Sequence, residues 1–497
     1  METKKTTMDQ QPSDTGGSAP RQLILCADGG GSKVCVVIRS DDGVEVRGTA
    51  GPCNVQSVGY ALAAQSILLA TYRALSLLPR SYLPNEFTIP SLSLPLTPAF
   101  TSPPKAPSTR SHLDLLSHPV AHHLAVSSNP GSPLPSRPTT PSPARPPMLP
   151  NLNLPIFRYA WLGLAGISCE ADGTAFGAVA ANALGMSEDR VKVTNDVNFL
   201  AAPALDWPEV DHVVAVVAGT GTVGRTIRVA SPSSGASASG TDAEGKHRGL
   251  PLEDVAVSRG WGYLLCDEGS AFWMGRLAIR SLLALADRYA STSIYTSSTP
   301  PYLPLHRDLL NYFGTSDPLD LITITSLTGP GNQGLDAGEA TSRRNALIAG
   351  AARVVFRWAF PDDVAAAPTA NGGIPTPPGS ADGQPEQELD QPQIDGDGDL
   401  LSKDDENGSH EEALRLAKHS VAPLIELTTS LLGDGSVVRP SRTALALGGG
   451  LMMSKGYRSL LLEGLKKDGI DFGKVVVVKD AAGEGARGLS RVEFGGK

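Results

Sequence analysis

Asp28 is followed at once by Gly29-Gly30-Gly31-Ser32, and about 190 residues later comes Gly219-Thr220-Gly221-Thr222. Glycine runs let backbone N–H groups reach a phosphate without a Cβ in the way, and Ser or Thr adds a hydroxyl donor. Asp28 is the type of hard oxygen ligand that Mg²⁺ takes. Gly448-Gly449-Gly450 follows an apolar run and suits close packing against an adenine or a phosphate. Ordinary β-turns account for any one of these segments alone. Asn195-Asp196 places a carboxylate after Val191–Thr194, at the strand end where α/β sheets hold ligands. Asp196 serves equally well as the N-cap of a helix starting at Val197. Gly260-Trp261-Gly262 gives a tight turn with an aromatic face, and Asp267-Glu268 follows at the start of a helix reaching about Asp287. A carboxylate beside an aromatic platform suits sugar hydroxyls, although a capped helix explains Asp267 on its own.

The elements that must position these residues alternate between strand and helix. Leu23–Ala27 is an apolar strand leading into the first glycine turn. Val34–Ile38 and Val44–Thr49 form a hairpin about Asp41-Asp42-Gly43. Tyr60–Leu78 reads as a helix, Tyr159–Leu164 as a strand, Ala175–Leu184 as a helix and Val191–Thr194 as a strand. His212–Ala218 then repeats the opening pattern, with a strand over Thr226–Val229 after its glycine turn. Strand, glycine turn and strand thus occur twice, which predicts two α/β domains facing each other across a cleft. Gly219-x-Gly221-x-x-Gly224 also matches the dinucleotide fingerprint, but that motif needs a helix next, and Arg225–Val229 reads as a strand. No Walker A motif occurs: Gly245-Lys246 is followed by His247.

Composition bounds the rest. The 497 residues are 41% hydrophobic, enough for a sizeable core. The net charge of −9 gives no reason to expect nucleic acid or an anionic membrane as a partner. No apolar run approaches the roughly 18 residues of a spanning helix, so a soluble protein is expected. Residues 1–20 are polar and lack the apolar core of a signal peptide. The five cysteines match neither a zinc site nor a disulfide framework, which suits a cytoplasmic protein with reduced thiols. Four stretches read as disordered: 1–20, 81–155 with 18 of the 40 prolines, 231–249 and 361–410. About 330 residues remain for two domains, 21–205 and 206–497. Asp395, Asp397, Asp399 and Glu406 imitate a calcium loop, but Leu400 stands where its glycine is needed. His112, His118, His122 and His123 sit in a Pro/Ser-rich stretch and read as solvated. Ser132, Thr140 and Ser142, each before a proline, suit proline-directed phosphorylation.

Taken in order, these segments resemble the N-acetylglucosamine kinases of the BadF/BadG/BcrA/BcrD-type ATPase family, within the hexokinase–actin clan. The resemblance runs from Leu23 to about Arg487, and its most specific segment is Gly260-Trp261-Gly262-Tyr263-Leu264-Leu265-Cys266-Asp267-Glu268-Gly269-Ser270. It implies a duplicated actin-like, ribonuclease H-like fold, with ATP and Mg²⁺ as cofactors, N-acetylglucosamine as substrate and a dimeric assembly. Gly30, Gly31 and Ser32 resemble the first phosphate motif, Gly219–Thr222 the second and Gly448–Gly450 the adenosine motif. By the same resemblance Asn54, in Gly51-Pro52-Cys53-Asn54, contacts the sugar, Asp196 is the catalytic base and Asp267 holds a sugar hydroxyl. Asp28 is the residue placed for the metal. Cys266 stands where the family usually has Gly; if that position needs φ > 0, Cys costs roughly 1–2 kcal/mol. Three other activities remain open: a kinase for another hexosamine such as glucosamine, a non-catalytic sugar sensor, and an ATPase activator. The activator would bridge an iron–sulfur cluster, for which Cys169 and Cys266 are the candidates.

Overall fold

The apolar runs become the centres of two five-stranded sheets. The computed structural model describes residues 21–90, 148–230, 250–265, 267–292, 302–365 and 403–495. In the first sheet, β1 (Leu23–Gly29), β2 (Val34–Ser40) and β3 (Glu45–Ala50) form an antiparallel meander. β4 (Phe157–Leu164) lies parallel to β1 on its other side, and β5 (Val191–Thr194) lies parallel to β4, giving the order β3-β2-β1-β4-β5. The second sheet repeats this. β6 (His212–Ala218), β7 (Thr222–Val229) and β8 (Leu252–Arg259) are the meander. β9 (Thr443–Gly448) and β10 (Lys474–Val477) are the parallel strands, in the order β10-β9-β6-β7-β8. Read outward from β1 and from β6, the two sheets have one topology and one set of strand senses.

Helices cover both faces. α1 (Val55–Leu75) and α2 (Glu170–Leu184) pack on the first sheet. α1 breaks at Gly59 (φ +77°), so its regular part begins at Tyr60, the start that periodicity predicts. The opposite face meets a 3₁₀ segment, Asp196–Asp206, that carries Asp196 at its first position. In the second half the chain runs through α3 (Ala271–Thr292), α4 (Pro304–Phe313), α5 (Asp320–Ile324), α6 (Ala337–Gly350), α7 (Ala352–Ala359) and α8 (Pro361–Ala365). It continues through α9 (Lys403–Ser430), α10 (Lys455–Lys467) and α11 (Ala481–Phe494). One buried cluster joins the sheets: Ile24 and Trp161 from the first, Phe199 from the 3₁₀ segment, Val213 and Ala446 from the second, and Ala486 and Leu489 from α11. α11, though it follows the second sheet, packs on β1 and β2. Arg47 on β3 donates to both carboxylate oxygens of Asp480 at its start, at 3.0 and 2.6 Å. Arg158 on β4 pairs with Glu493 near its end at 3.0 Å.

All these elements belong to one compact unit, Met1–Ile89 with Asn151–Lys497. The expected disordered stretches need correction at their edges. Phe87 is buried against Tyr72, with the rings stacked 6.5 Å apart, and the buried Leu152 donates its N–H to Ala183 O. Large apolar side chains therefore hold 81–89 and 151–155 within this unit. Pro361–Ala365 and Lys403–His410 are helical, and α9 opens with Asp404, Asp405 and Glu406, acidic residues that suit a helix N-terminus. Residues 1–20, 91–147, 231–249 and 366–402 lie outside the described residues, as do the four histidines, the three proline-directed positions and Asp395, Asp397 and Asp399. Among the described residues no helix is long and apolar enough to cross a membrane.

Candidate active site

β1 and β5 bring two carboxylates together at their C-terminal ends. Asp28 ends the run of β1 just before the hairpin, and Asp196 opens the 3₁₀ segment after β5. The cap of that segment is Asn195, whose Oδ1 accepts from Val197 N–H at 3.2 Å and whose Nδ2 donates to Ile167 O at 3.0 Å. Because Asn195 caps, Asp196 is released from that role: one of its oxygens also takes the Val197 amide at 3.1 Å, and its other oxygen has no hydrogen-bond partner among the described residues. Burial pushes the Asp28 carboxyl up to about 7, with the charges of Asp196 and Asp480 adding to it and Lys33 opposing. Burial raises Asp196 as well, and the Val197 amide and the Arg225 guanidinium work against that rise. Two half-buried acids, one of which raises the proton affinity of the other, form a place where a cation is welcome.

The hairpin after Asp28 is closed by Gly30 N–H donating to Lys33 O (2.9 Å), while Gly31 and Ser32 stand exposed at its tip. Asn54 caps α1, its Oδ1 accepting from the amides of Gln56 (3.0 Å) and Ser57 (3.3 Å). Its Nδ2 has no partner among the described residues, which leaves a donor for a ligand hydroxyl. Gly166 sits beside it with φ +90°, and a Cβ there would lie 2.6 Å from Asn54 Oδ1.

A second group gathers around the other glycine turns. Gly219 N–H donates to Gly221 O at 2.9 Å, and Gly219 O accepts from Ala271 N–H, the first residue of α3, at 2.8 Å. Gly449 takes φ +88°, and its missing Cβ would stand 2.5 Å from Ala218 O, so the turn Gly448–Gly450 lies flat on the second hairpin only as glycine. Thr222 Oγ1 is buried with no hydrogen-bond partner. Buried hydroxyls are ordinarily satisfied, so an orphaned one at a glycine hairpin fits a missing phosphate oxygen. Tyr263 and Thr220 share a side-chain hydrogen bond.

Asp267 is 5% exposed. Its carboxylate is surrounded by Gly221, Thr222, Gly260 and Gly262; burial raises its pKa and backbone hydrogen bonds with Thr222 and Gly262 oppose that. Side chains at Gly221 or Gly260 would collide with it, at 2.7 and 1.8 Å. Asp267 thus fastens the Gly260–Gly262 turn to the second hairpin, a role its sequence position did not disclose. It is also the one non-glycine residue with positive φ among those described, at +43°. Asp tolerates this region better than most side chains. Cys266, the expected point of strain, lies outside the described residues. Ser270 supplies the cap of α3, its Oγ accepting from Trp273 N–H at 3.1 Å, in place of Asp267 or Glu268. Trp261 stands 75% exposed at the turn.

Sequence reasoning passed over Arg225, which reaches from β7 to the first half, and the loop Ala165–Ser168, which touches Gly29, Asn54 and Asn195. β7 carries two arginines, Arg225 and Arg228, and its sequence alone does not mark Arg225 as the buried one.

Two ribonuclease H-like sheets of one topology, each with a glycine hairpin at its central strand, define a duplicated actin-like fold. No protein-family model matches the chain. It is similar to a Clostridium acetobutylicum protein named N-acetylmuramic acid/N-acetylglucosamine kinase, with 28% identity over 169 residues, 34% of this chain and 46% of that protein. The chain therefore spans under half the length of that curated relative. Among solved structures, one from Chromobacterium violaceum, provisionally named an N-acetylglucosamine kinase, is 15% identical with a TM-score of 0.43, covering 94% of this chain and 99% of that one. A second, from Porphyromonas gingivalis and named likewise, is 13% identical with a TM-score of 0.46, covering 95% and 98%.

Proposed function

We propose that the chain is an ATP-dependent sugar kinase that phosphorylates the 6-hydroxyl of N-acetylglucosamine, giving N-acetylglucosamine 6-phosphate and ADP. The observation that carries this reading is the pairing of Asp28 and Asp196 at the ends of β1 and β5, the two strands that flank β4, next to one of two glycine hairpins on equivalent strands. The Clostridium relative supports the substrate class.

The nucleotide phosphates lie along Gly30–Ser32 and Gly219–Thr222, with Thr222 Oγ1 donating its free proton to a phosphate oxygen. Gly448–Gly450 packs against the adenosine. Asp28 would hold Mg²⁺, which would supply positive charge between the phosphates. Asn54 grips a sugar hydroxyl through Nδ2. Asp267 and the Gly260–Gly262 turn, with Trp261, form the other wall of the sugar site. Asp196 accepts the 6-hydroxyl proton through its unengaged oxygen as the oxygen attacks the γ-phosphorus. Closure of the halves 21–205 and 206–497 excludes water and limits wasteful ATP hydrolysis.

The test is ADP release with Mg·ATP over N-acetylglucosamine, N-acetylmuramic acid, glucosamine, N-acetylmannosamine, glucose and no sugar. N-acetylglucosamine is expected to give the highest kcat/KM, and Asp196→Asn to lower kcat by at least about 100-fold with binding retained. Equal ADP release with and without sugar would replace the kinase by an ATPase.

A further inference from the structure

We propose that Arg225 is a positioning residue that ties the second sheet to the element carrying Asp196, so that the carboxylate is aimed only while the two halves are joined. The proposal rests on the kinase reading for its chemistry and on the following contacts for its geometry.

Arg225 lies on β7, and only 4% of its side chain is exposed. Its Nη2 donates to Ile167 O at 3.4 Å, the same carbonyl that accepts from Asn195 Nδ2 at 3.0 Å. Asn195 adjoins Asp196 and caps its 3₁₀ segment. The other arm, Nη1, donates to Asp254 Oδ2 on β8 at 2.7 Å. Asp254 Oδ1 in turn accepts from Asn198 Nδ2 at 2.8 Å, and Asn198 lies two residues beyond Asp196 on that segment. The guanidinium therefore reaches the Asp196 element by two routes, one ahead of the carboxylate and one behind it.

Ile167 belongs to the loop Ala165–Ser168, where the other proposed sugar and phosphate contacts converge. Ala165 N–H donates to Gly29 O at 2.7 Å and Ala165 O accepts from Val55 N–H at 3.2 Å. Gly166 packs on Asn54. A shift of this loop moves Asn54, Asn195 and the first hairpin together. Arg225 is the side chain from the second sheet that holds it. A merely structural pair would have needed only Asp254 on the adjoining strand β8, where it sits opposite Ile227 and diagonal to Arg225. The second arm, the shared carbonyl and the Asn198 contact give the group its reach into the first half. Arg225 Nε and Asn198 Oδ1 are buried without partners, so the junction is not a fully satisfied packing network.

The experiment compares wild type, Arg225→Met and Arg225→Lys by steady-state kinetics and by hydrogen exchange at the amides of 165–168 and 195–198. Arg225→Met is expected to lower kcat about 30- to 100-fold with the KM for ATP within about two-fold, because misplacement of a reacting group costs turnover more than nucleotide binding. Exchange at both segments rises in the same variant, and Arg225→Lys recovers at least about ten-fold in kcat by restoring one donor. A kcat within about three-fold of wild type, or unchanged exchange at both segments, overturns the proposal. If Arg225→Met does not fold, Arg225→Lys decides. An intermediate kcat with raised exchange at 165–168 supports the proposal, and wild-type values in both overturn it. A wild type that phosphorylates no sugar overturns the kinase reading instead, and the exchange data then decide the positioning role alone.

Discussion

Asp28 is a carboxyl held at about 7 by burial and by the neighbouring charges of Asp196 and Asp480. A folded-state pKa raised above its unfolded value means that the native chain binds the proton more tightly, so stability falls as pH rises from the ordinary carboxylate range through about 7. Asp28→Asn removes that penalty. The variant is expected to match wild type near pH 4 and to exceed it by about 2 kcal/mol near pH 8, after allowance for solvent screening. Melting temperatures at the two pH values check the sign. Added Mg²⁺ should raise the wild-type melting temperature at the higher pH and leave Asp28→Asn unmoved. The carboxylates were legible at this scale because each stands at or just after the end of a short strand, the apolar β1 for Asp28 and the alternating β5 for Asp196. The division of labour between Asn195 and Asp196 was not, since either side chain can cap and the choice depends on the Ile167 carbonyl of another loop. The anchoring of Asp267 was hidden for a similar reason, because Gly221 and Gly260 converge on it only once the second sheet has formed.

The 3₁₀ segment Asp196–Asp206 is the element on which the proposed chemistry depends. Phe199, fully buried, packs against Trp161 with ring centroids 4.4 Å apart and anchors the segment to β4. Phe199→Ala is expected to cost about 3–5 kcal/mol, the range for emptying a core aromatic position. It should also lower kcat in the fraction that stays folded, because the cavity frees the segment that aims Asp196. Urea unfolding and turnover on the same preparation separate the two effects. The buried strands β1, β4, β6 and β9 were readable as unbroken apolar runs. β8 and β10 escaped notice: Leu252–Arg259 is an edge strand with many exposed residues and no continuous apolar run, and the apolar run at β10 is only the four valines Val475–Val478 between Lys474 and Lys479. α1 starts earlier than its periodicity suggests because Asn54 caps a short first turn ahead of the Gly59 break.

Across the whole molecule, the repeated strand order explains why the glycine hairpin occurs twice in the sequence: each marks the exit of the central strand of its sheet. The paired hairpins were visible as a short motif, but the equivalence of the sheets was not, because the matching strands share topology and almost no residues. Completion of the first sheet depends on α11, which buries Ala482, Ala486 and Leu489 in the shared core and is fixed by Arg47 and Arg158. Deleting Ala481–Phe494 is therefore expected to abolish the cooperative melting transition of both halves. Calorimetry of the truncated chain checks this, and a surviving transition of the first half would refute it.

That dependence has a consequence for how the chain is made. α11 is synthesised about 450 residues after β1, the strand it covers. At roughly 5–20 residues per second, β1 and β2 lack the helix that covers them for about 20–90 seconds after they are made. The first half is thus left unfinished until translation supplies the last piece of its core.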